Sequence, residues 1–372
     1  MNIKHLFYIY LLFICIGCQN NTNSTREGIA IEVDNNNKIA KFSDLFSTID
    51  IIPLETLDSS LISSTDKIIQ HHDKIFILDK TQQILFIFNE TGKFLWKLDK
   101  AGRGPTEYLG IEDIVINPET ENIEIISSPG QYIIYDPNGN FIQAYKIPAN
   151  AIHAFFPINK DLTAFYEKVQ GNLLIFSKEK NTIIQAKPMS EQFILRKTPY
   201  HYITTPFGYF NHEVLFLASD QKKVYKISRT GEITEPYLFH FGAQDHELRN
   251  LPQNEEMMYY ITENQNLQKI YNISDFKETQ NYMVIYYIYE KFWHTTFYDK
   301  TNRTMTTLNK PSGMMIYYPF DCSDQSLFSV IPANIIERQV KREWVSQQDW
   351  EKIQQIPIDA NPIVLKYNFK SH

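Results

Sequence analysis

One turn, written several times over, constrains this chain more than any other feature. Residues 73–95 read DKIFILDKTQQILFIFNETGKFL, strand-like runs broken by turns. Ile75 and Ile77, then Ile84, Phe86 and Phe88, fall on every second position, the period of a strand. Asn89-Glu90-Thr91-Gly92 then turns the chain into Phe94. The phrase recurs at 121–142, where Asp136-Pro137-Asn138-Gly139 leads into Phe141, and at 212–234, where Ser228-Arg229-Thr230-Gly231 leads into Ile233. Each glycine can take the positive φ that a tight hairpin demands. Weaker copies at 172–184 and 282–308 put Asn181 and Asn302 in the glycine's place, and asparagine is the next most tolerant residue there.

The markers Gly92, Gly139, Asn181 and Gly231 follow one another at roughly forty to fifty residues, the period of a four-stranded propeller blade. The longer interval before Asn302 holds residues 243–271, which lack alternation and carry helix formers. They are read as an inserted excursion with a short helix. A sixth unit follows at 313–331. A ring must join its first and last blades or leave exposed edges. Segments 29–33, 49–56 and 361–370 are therefore expected to supply closing strands from both termini. Two β-sandwiches side by side would explain the strands but not the recurrence of the turn.

The remaining composition agrees with an all-β globular body. Hydrophobic residues at 43% and charged residues at 21% exclude a disordered chain, and 14% aromatic content favours strands. Net charge is −7 with no basic face, so no nucleic-acid partner is expected. The Arg338, Lys341 and Arg342 group reads as a solvated edge.

The first residues carry an address. Lys4 precedes an apolar run from Leu6 to Gly17, shorter than the ~20 residues that span a bilayer but the length of a signal-peptide core. It ends in Cys15-Ile16-Gly17-Cys18, which resembles the lipobox of bacterial lipoproteins. That resemblance implies lipidation at Cys18 and a membrane attached through the lipid. The expected organisation is a signal peptide over 1–17, a flexible polar tether over 18–28, and a propeller over 29–372. Cleavage leaves Cys322 alone in the body, so no intramolecular disulfide is expected and the core must supply the stability.

The run Gly102-Arg103-Gly104-Pro105-Thr106-Glu107-Tyr108 invites a functional reading. A phosphate loop would need Gly-Lys-Ser/Thr, whereas Pro105 offers no N–H, and a strand rather than a helix follows. The run is read as a stiff connection between repeats, tied by an Arg103–Glu107 ion pair. The competing reading makes Arg103 a ligand contact.

Catalytic constellations are sparse in the sequence. No HxxxH, HExxH or Gly-x-Ser-x-Gly pattern occurs, and Cys322 has no neighbouring histidine to activate it. His72, His153 and His201 lie near inner strands and could converge on an axial metal, but neither a metal nor a cofactor is the favoured expectation. Glu112 and Asp113, adjacent on a strand, should face opposite ways. Aromatics in 155–168 and 198–210 could stack on sugars or peptides, or simply pack between blades.

The chain resembles the six-bladed β-propeller lipoproteins of Bacteroides and related bacteria, themselves distantly similar to NHL-repeat propellers. The residues that carry the likeness are Ile52-Pro53-Leu54-Glu55-Thr56, Phe76-Ile77-Leu78-Asp79 and the Gly102–Tyr108 run. Val224-Tyr225-Lys226-Ile227 with Gly231, Asp299-Lys300 and Asn361-Pro362-Ile363-Val364 complete it. Spacing alone would permit seven blades; the resemblance implies six, closed by strands from both termini. It also implies export to the cell envelope, lipid-anchored at the outer membrane. The expected role is a non-catalytic binding or scaffolding module for a glycan, peptide or envelope-protein partner. The alternative is a propeller enzyme, a lyase or lactonase-like hydrolase, with an axial metal.

Overall fold

Strands whose every position is apolar need two buried faces, and the fold provides them. The computed structural model describes residues 29–33, 40–149, 151–167, 171–189, 206–218, 221–246, 268–310 and 313–370. In chain order the strands begin with β1 (Ile29–Glu32) and β2 (Phe46–Pro53). Blade one holds β3 (Lys67–His71), β4 (Lys74–Asp79), β5 (Ile84–Asn89) and β6 (Phe94–Leu98). Blade two holds β7 (Ile111–Ile116), β8 (Ile123–Ser127), β9 (Gln131–Tyr135) and β10 (Phe141–Lys146). Blade three holds β11 (Ile152–Pro157), β12 (Leu162–Glu167), β13 (Asn172–Ser177) and β14 (Thr182–Pro188). Blade four holds β15 (Phe207–Phe210), β16 (Glu213–Ala218), β17 (Lys223–Ile227) and β18 (Ile233–His240). Blade five holds β19 (Asp275–Glu278), β20 (Tyr282–Tyr289), β21 (Phe292–Asp299) and β22 (Thr304–Asn309). Blade six is assembled from β23 (Phe320–Cys322), β24 (Ser326–Ile331), β25 (Ile363–Phe369) and β2.

The period of two now has a physical meaning. Along β5, Ile84, Phe86 and Phe88 pack toward blade six, while Leu85 and Ile87 pack toward blade two. One apolar cluster fills each of the six seams between adjacent blades. Aromatic pairs such as Tyr132–Phe165, with centroids 5.6 Å apart and planes at 82°, pack across the seam of blades two and three.

The recurring turn sits between the third and fourth strands of its blade. Gly92, Gly139 and Gly231 have φ of +86°, +80° and +84°, and each donates its N–H to the carbonyl of the residue three earlier. In blade three Asn181 takes this conformation at φ 49°. The turns of blades three and five are both one residue longer than the glycine turns, and in blade five Arg303 at φ 54°, rather than Asn302, takes the position.

Two of the three segments expected to close the ring do so, 49–56 through β2 and 361–370 through β25. β2 runs antiparallel to β25 from Phe46↔Phe369 to Pro53↔Ile363, so an N-terminal strand completes the C-terminal blade. Residues 29–33 take no part in this. β1 lies parallel to β18 and caps the outer edge of blade four, because Ile31 and Val33 find their apolar partners there. A helical segment lies between β24 and β25. Its helix Gln347–Gln355 is capped by Ser346, which accepts from the Asp349 N–H, and it buries Ile353 against the seam of blades five and six. The helix expected within 243–271 falls mostly outside the described residues.

Candidate functional site

The Gly102–Tyr108 run links β6 to β7, and its organiser is Tyr108. Its ring is fully buried between blades one and two, and its hydroxyl donates to the carbonyls of Gln83 and Leu98 at 2.9 and 3.1 Å. Glu107 does not pair with Arg103. Its Oε2 accepts the Gly104 N–H at 2.7 Å, and a Cβ at Gly102 would stand 1.9 Å from that same oxygen. The glycines therefore make room for a carboxylate that folds back on its own loop, and the expected ion pair is corrected. A backbone N–H three residues away competes better than an exposed guanidinium that must give up side-chain entropy. Arg103 is exposed, so Arg103→Ala should leave the melting temperature unchanged. Glu107→Ala should lower stability by about 1–2 kcal/mol, and thermal melts of both variants and the double mutant should show additive effects.

Chemistry concentrates instead in the axial channel, a cavity of about 220 Å³ lined by β3, β7, β11, β15, β19 and β23. An innermost strand has no neighbour on its channel side, so its backbone N–H groups need partners. Two aspartates supply them across the seams. Asp113 accepts from Lys67 Nζ at 2.7 Å with one oxygen and from the Phe155 N–H at 3.3 Å with the other. Asp321 accepts from the Gln70 N–H at 2.9 Å and from the Cys322 N–H at 2.9 Å. Lys277 on β19 pairs with Asp275 at 2.8 Å. Burial raises the Asp321 carboxyl's pKa, against the opposing pull of Lys277 and of its two backbone donors.

These charged groups occupy the arc of blades five, six, one and two. The remaining arc is aromatic: Phe156 from β11 and Tyr209 from β15 stack 5.6 Å apart at 13°, backed by Phe155 and Phe207, whose rings are buried in the adjoining seams. Both aromatic stretches singled out in the sequence therefore contribute to one wall, although 198–205 lie outside the described residues. Glu112 and Asp113 do face apart, since Glu112 accepts from Ser128 Oγ at 2.7 Å away from the channel. Cys322 also lines the channel, where burial, with Asp321 beside it, pushes its thiol well up and away from the reactive thiolate. His72 meets His71 and Glu121 at one rim, His153 on β11 stands apart from that group, and His201 lies outside the described residues. Cys18 lies outside them too.

Six four-stranded units around a lined axis, the last completed by an N-terminal strand, define a six-bladed β-propeller. The chain belongs to the family described as Domain of unknown function (DUF4934), whose sequence profile matches residues 28–368. A protein of Bacteroides fragilis described as exported has a crystal structure at 2.60 Å that is similar over 93% of this chain and 100% of its own. The TM-score is 0.74 at 16% identity, so the fold is shared. The WD40 repeats of RRP9 match 87% of this chain and 99% of their own, with a TM-score of 0.48 and 8% identity. U3-55K matches 86% and 98%, with a TM-score of 0.49 and 8% identity. A search of curated proteins finds no match. Among the described residues no helix is long and apolar enough to cross a membrane.

Proposed function

We propose that this protein is an exported propeller, anchored at the outer membrane through a lipid on Cys18, that serves as a non-catalytic binding or scaffolding module. The carrying observation is the division of the channel wall into a charged arc and an aromatic arc. The charged groups are already committed: Lys67 to Asp113, Lys277 to Asp275, and Asp113 and Asp321 each to at least one backbone N–H donor. Such groups hold a shape and offer residual hydrogen bonds, whereas a general acid or base needs a proton free to move. The aromatic arc offers a flat apolar face opposite. At about 220 Å³ the cavity is smaller than the roughly 300–1,000 Å³ of drug-sized pockets. It therefore suits one sugar ring or one side chain of a peptide rather than a whole cofactor. Export is supported by the short apolar run before Cys18 and by the exported description of the Bacteroides fragilis protein.

One set of measurements tests both halves. Wild type and Tyr209→Ala are screened by thermal shift against monosaccharides, uronic acids and short peptides. Ligands should raise the melting temperature of the wild type and not of the variant, in which the Phe156–Tyr209 stack is lost. Turnover of any ligand would replace this reading with the enzyme reading. In cell fractionation, Cys18→Ala should move the protein from the membrane to the soluble fraction. A variant that still sediments after a high-salt wash sinks the anchor.

A further inference from the structure

Two histidines in succession on a strand would face opposite ways, yet the rings of His71 and His72 meet with centroids 4.2 Å apart. The cause lies in the backbone. His71 ends β3 and lines the channel, while His72 enters the β3–β4 turn at φ 53°, which swings its side chain round. The equivalent turn of blade two, between β7 and β8, ends at Glu121 with φ 61°. That conformation is uncommon for non-glycine residues and is held here by the Glu121 N–H donating to the Asn117 carbonyl at 2.8 Å. The two turns point their side chains at each other across the seam. His72 Nε2 stands 3.4 Å from Glu121 Oε1.

We propose that His71, His72 and Glu121 form a binding site for one divalent transition-metal ion at the seam of blades one and two. One ligand atom from each lies within 4.8 Å of the other two. Bonds of about 2.0–2.2 Å in tetrahedral geometry put ligand atoms ~3.4 Å apart, so only a small closure is needed. His72 and Glu121 can make it, because their side chains are 67% and 54% exposed. His71 is the least exposed member, and its ring keeps one buried nitrogen, Nε2, without a hydrogen-bond partner. Two imidazoles and one carboxylate suit zinc, nickel or copper rather than calcium or magnesium. With three protein ligands a fourth position stays open to water or to a ligand's donor atom. This site is independent of the aromatic arc, so either reading can fail without the other.

The test uses the full chain stripped with a chelator and titrated with zinc chloride by calorimetry, with cobalt(II) as a spectroscopic probe. Expected are one zinc per chain, a raised melting temperature, and visible absorption bands of four-coordinate cobalt. His72→Ala should abolish these, and Glu121→Gln should weaken zinc binding by more than about tenfold. Both residues are exposed, so these variants keep the test usable if His71→Asn fails to fold. Absence of zinc binding at large molar excess overturns the site. So does undiminished binding of one zinc by His72→Ala and Glu121→Gln.

Discussion

Gly92→Ala is expected to destabilise the protein by about 2–5 kcal/mol, at least twice the effect of the same change at Gly231. Both glycines occupy the same turn at nearly the same φ, +86° and +84°, so a Cβ costs each about 1–2 kcal/mol of backbone strain. What differs is the neighbour. At Gly231 the added carbon would lie 3.4 Å from Leu162 Cδ1, an ordinary contact. At Gly92 it would lie 2.2 Å from the carbonyl oxygen of Pro53, the last residue of the closing strand β2. That carbonyl cannot rotate away, because the backbone just beyond it is tied back to the turn: the Glu55 N–H donates to the Gly92 carbonyl at 2.8 Å, and Glu55 Oε2 accepts from the Phe94 N–H at 2.9 Å. Overpacking against rigid backbone adds about 1–3 kcal/mol. Gly139→Ala should fall between, since its obstacle is the Trp96 ring at 2.8 Å, a side chain able to yield. Denaturant midpoints of the three variants give the ranking. Equal losses would mean that strain alone matters and that the turn of blade one has no special part in closure.

The propeller was legible because each seam is written locally. Alternate residues of one strand serve two neighbouring blades, and the turn needs a residue that accepts positive φ, so both signals survive in a single sequence. The closing strand was legible only in kind. Segments 29–33 and 49–56 look alike as apolar runs, and which of them meets β25 depends on partners more than three hundred residues away. The charged arc was not legible at all. Lys67, Asp113, Lys277 and Asp321 come from four different blades, and nothing local marks a strand's channel edge. The histidine group was missed for a geometric reason, the turn at His72 that undoes the alternation of the strand. The helix Gln347–Gln355 did carry a signal, since Ser346 and Asp349 stand at capping spacing and Ser346 Oγ accepts from the Asp349 N–H at 3.0 Å. The Arg103–Glu107 pair failed because charge complementarity in sequence ignores a nearer backbone donor.

Asn361→Ala is expected to cost about 3–5 kcal/mol, although Asn361 touches neither the channel nor the histidine group. Asn361 immediately precedes Pro362 and β25, and it is buried at 4% exposure. Its Nδ2 donates to the carbonyls of Glu55 and Ser60, both at 2.8 Å. Its Oδ1 accepts from the Ile62 N–H at 3.0 Å, and its own N–H donates to Thr56 Oγ1 at 2.9 Å. One side chain thereby satisfies three backbone groups of the loop that carries the chain from the closing strand β2 into blade one. These contacts explain why Ile52–Thr56 and Asn361–Val364 stand out together in the sequence: they are the two halves of one clasp. Truncation removes this partner from the Ser60 carbonyl and the Ile62 N–H, at about 1–3 kcal/mol each, while the Glu55 carbonyl keeps the Ser60 hydroxyl at 2.6 Å. Asn361→Asp discriminates between shape and hydrogen bonding, because a carboxylate fills the same volume but offers nothing to the Glu55 and Ser60 carbonyls. It should therefore be at least as destabilising as alanine. Hydrogen exchange should localise the damage, with amides of β2 and β25 losing protection before those of blades two and three. An Asn361→Asp variant as stable as the wild type would show that packing, rather than this set of bonds, holds the ring shut.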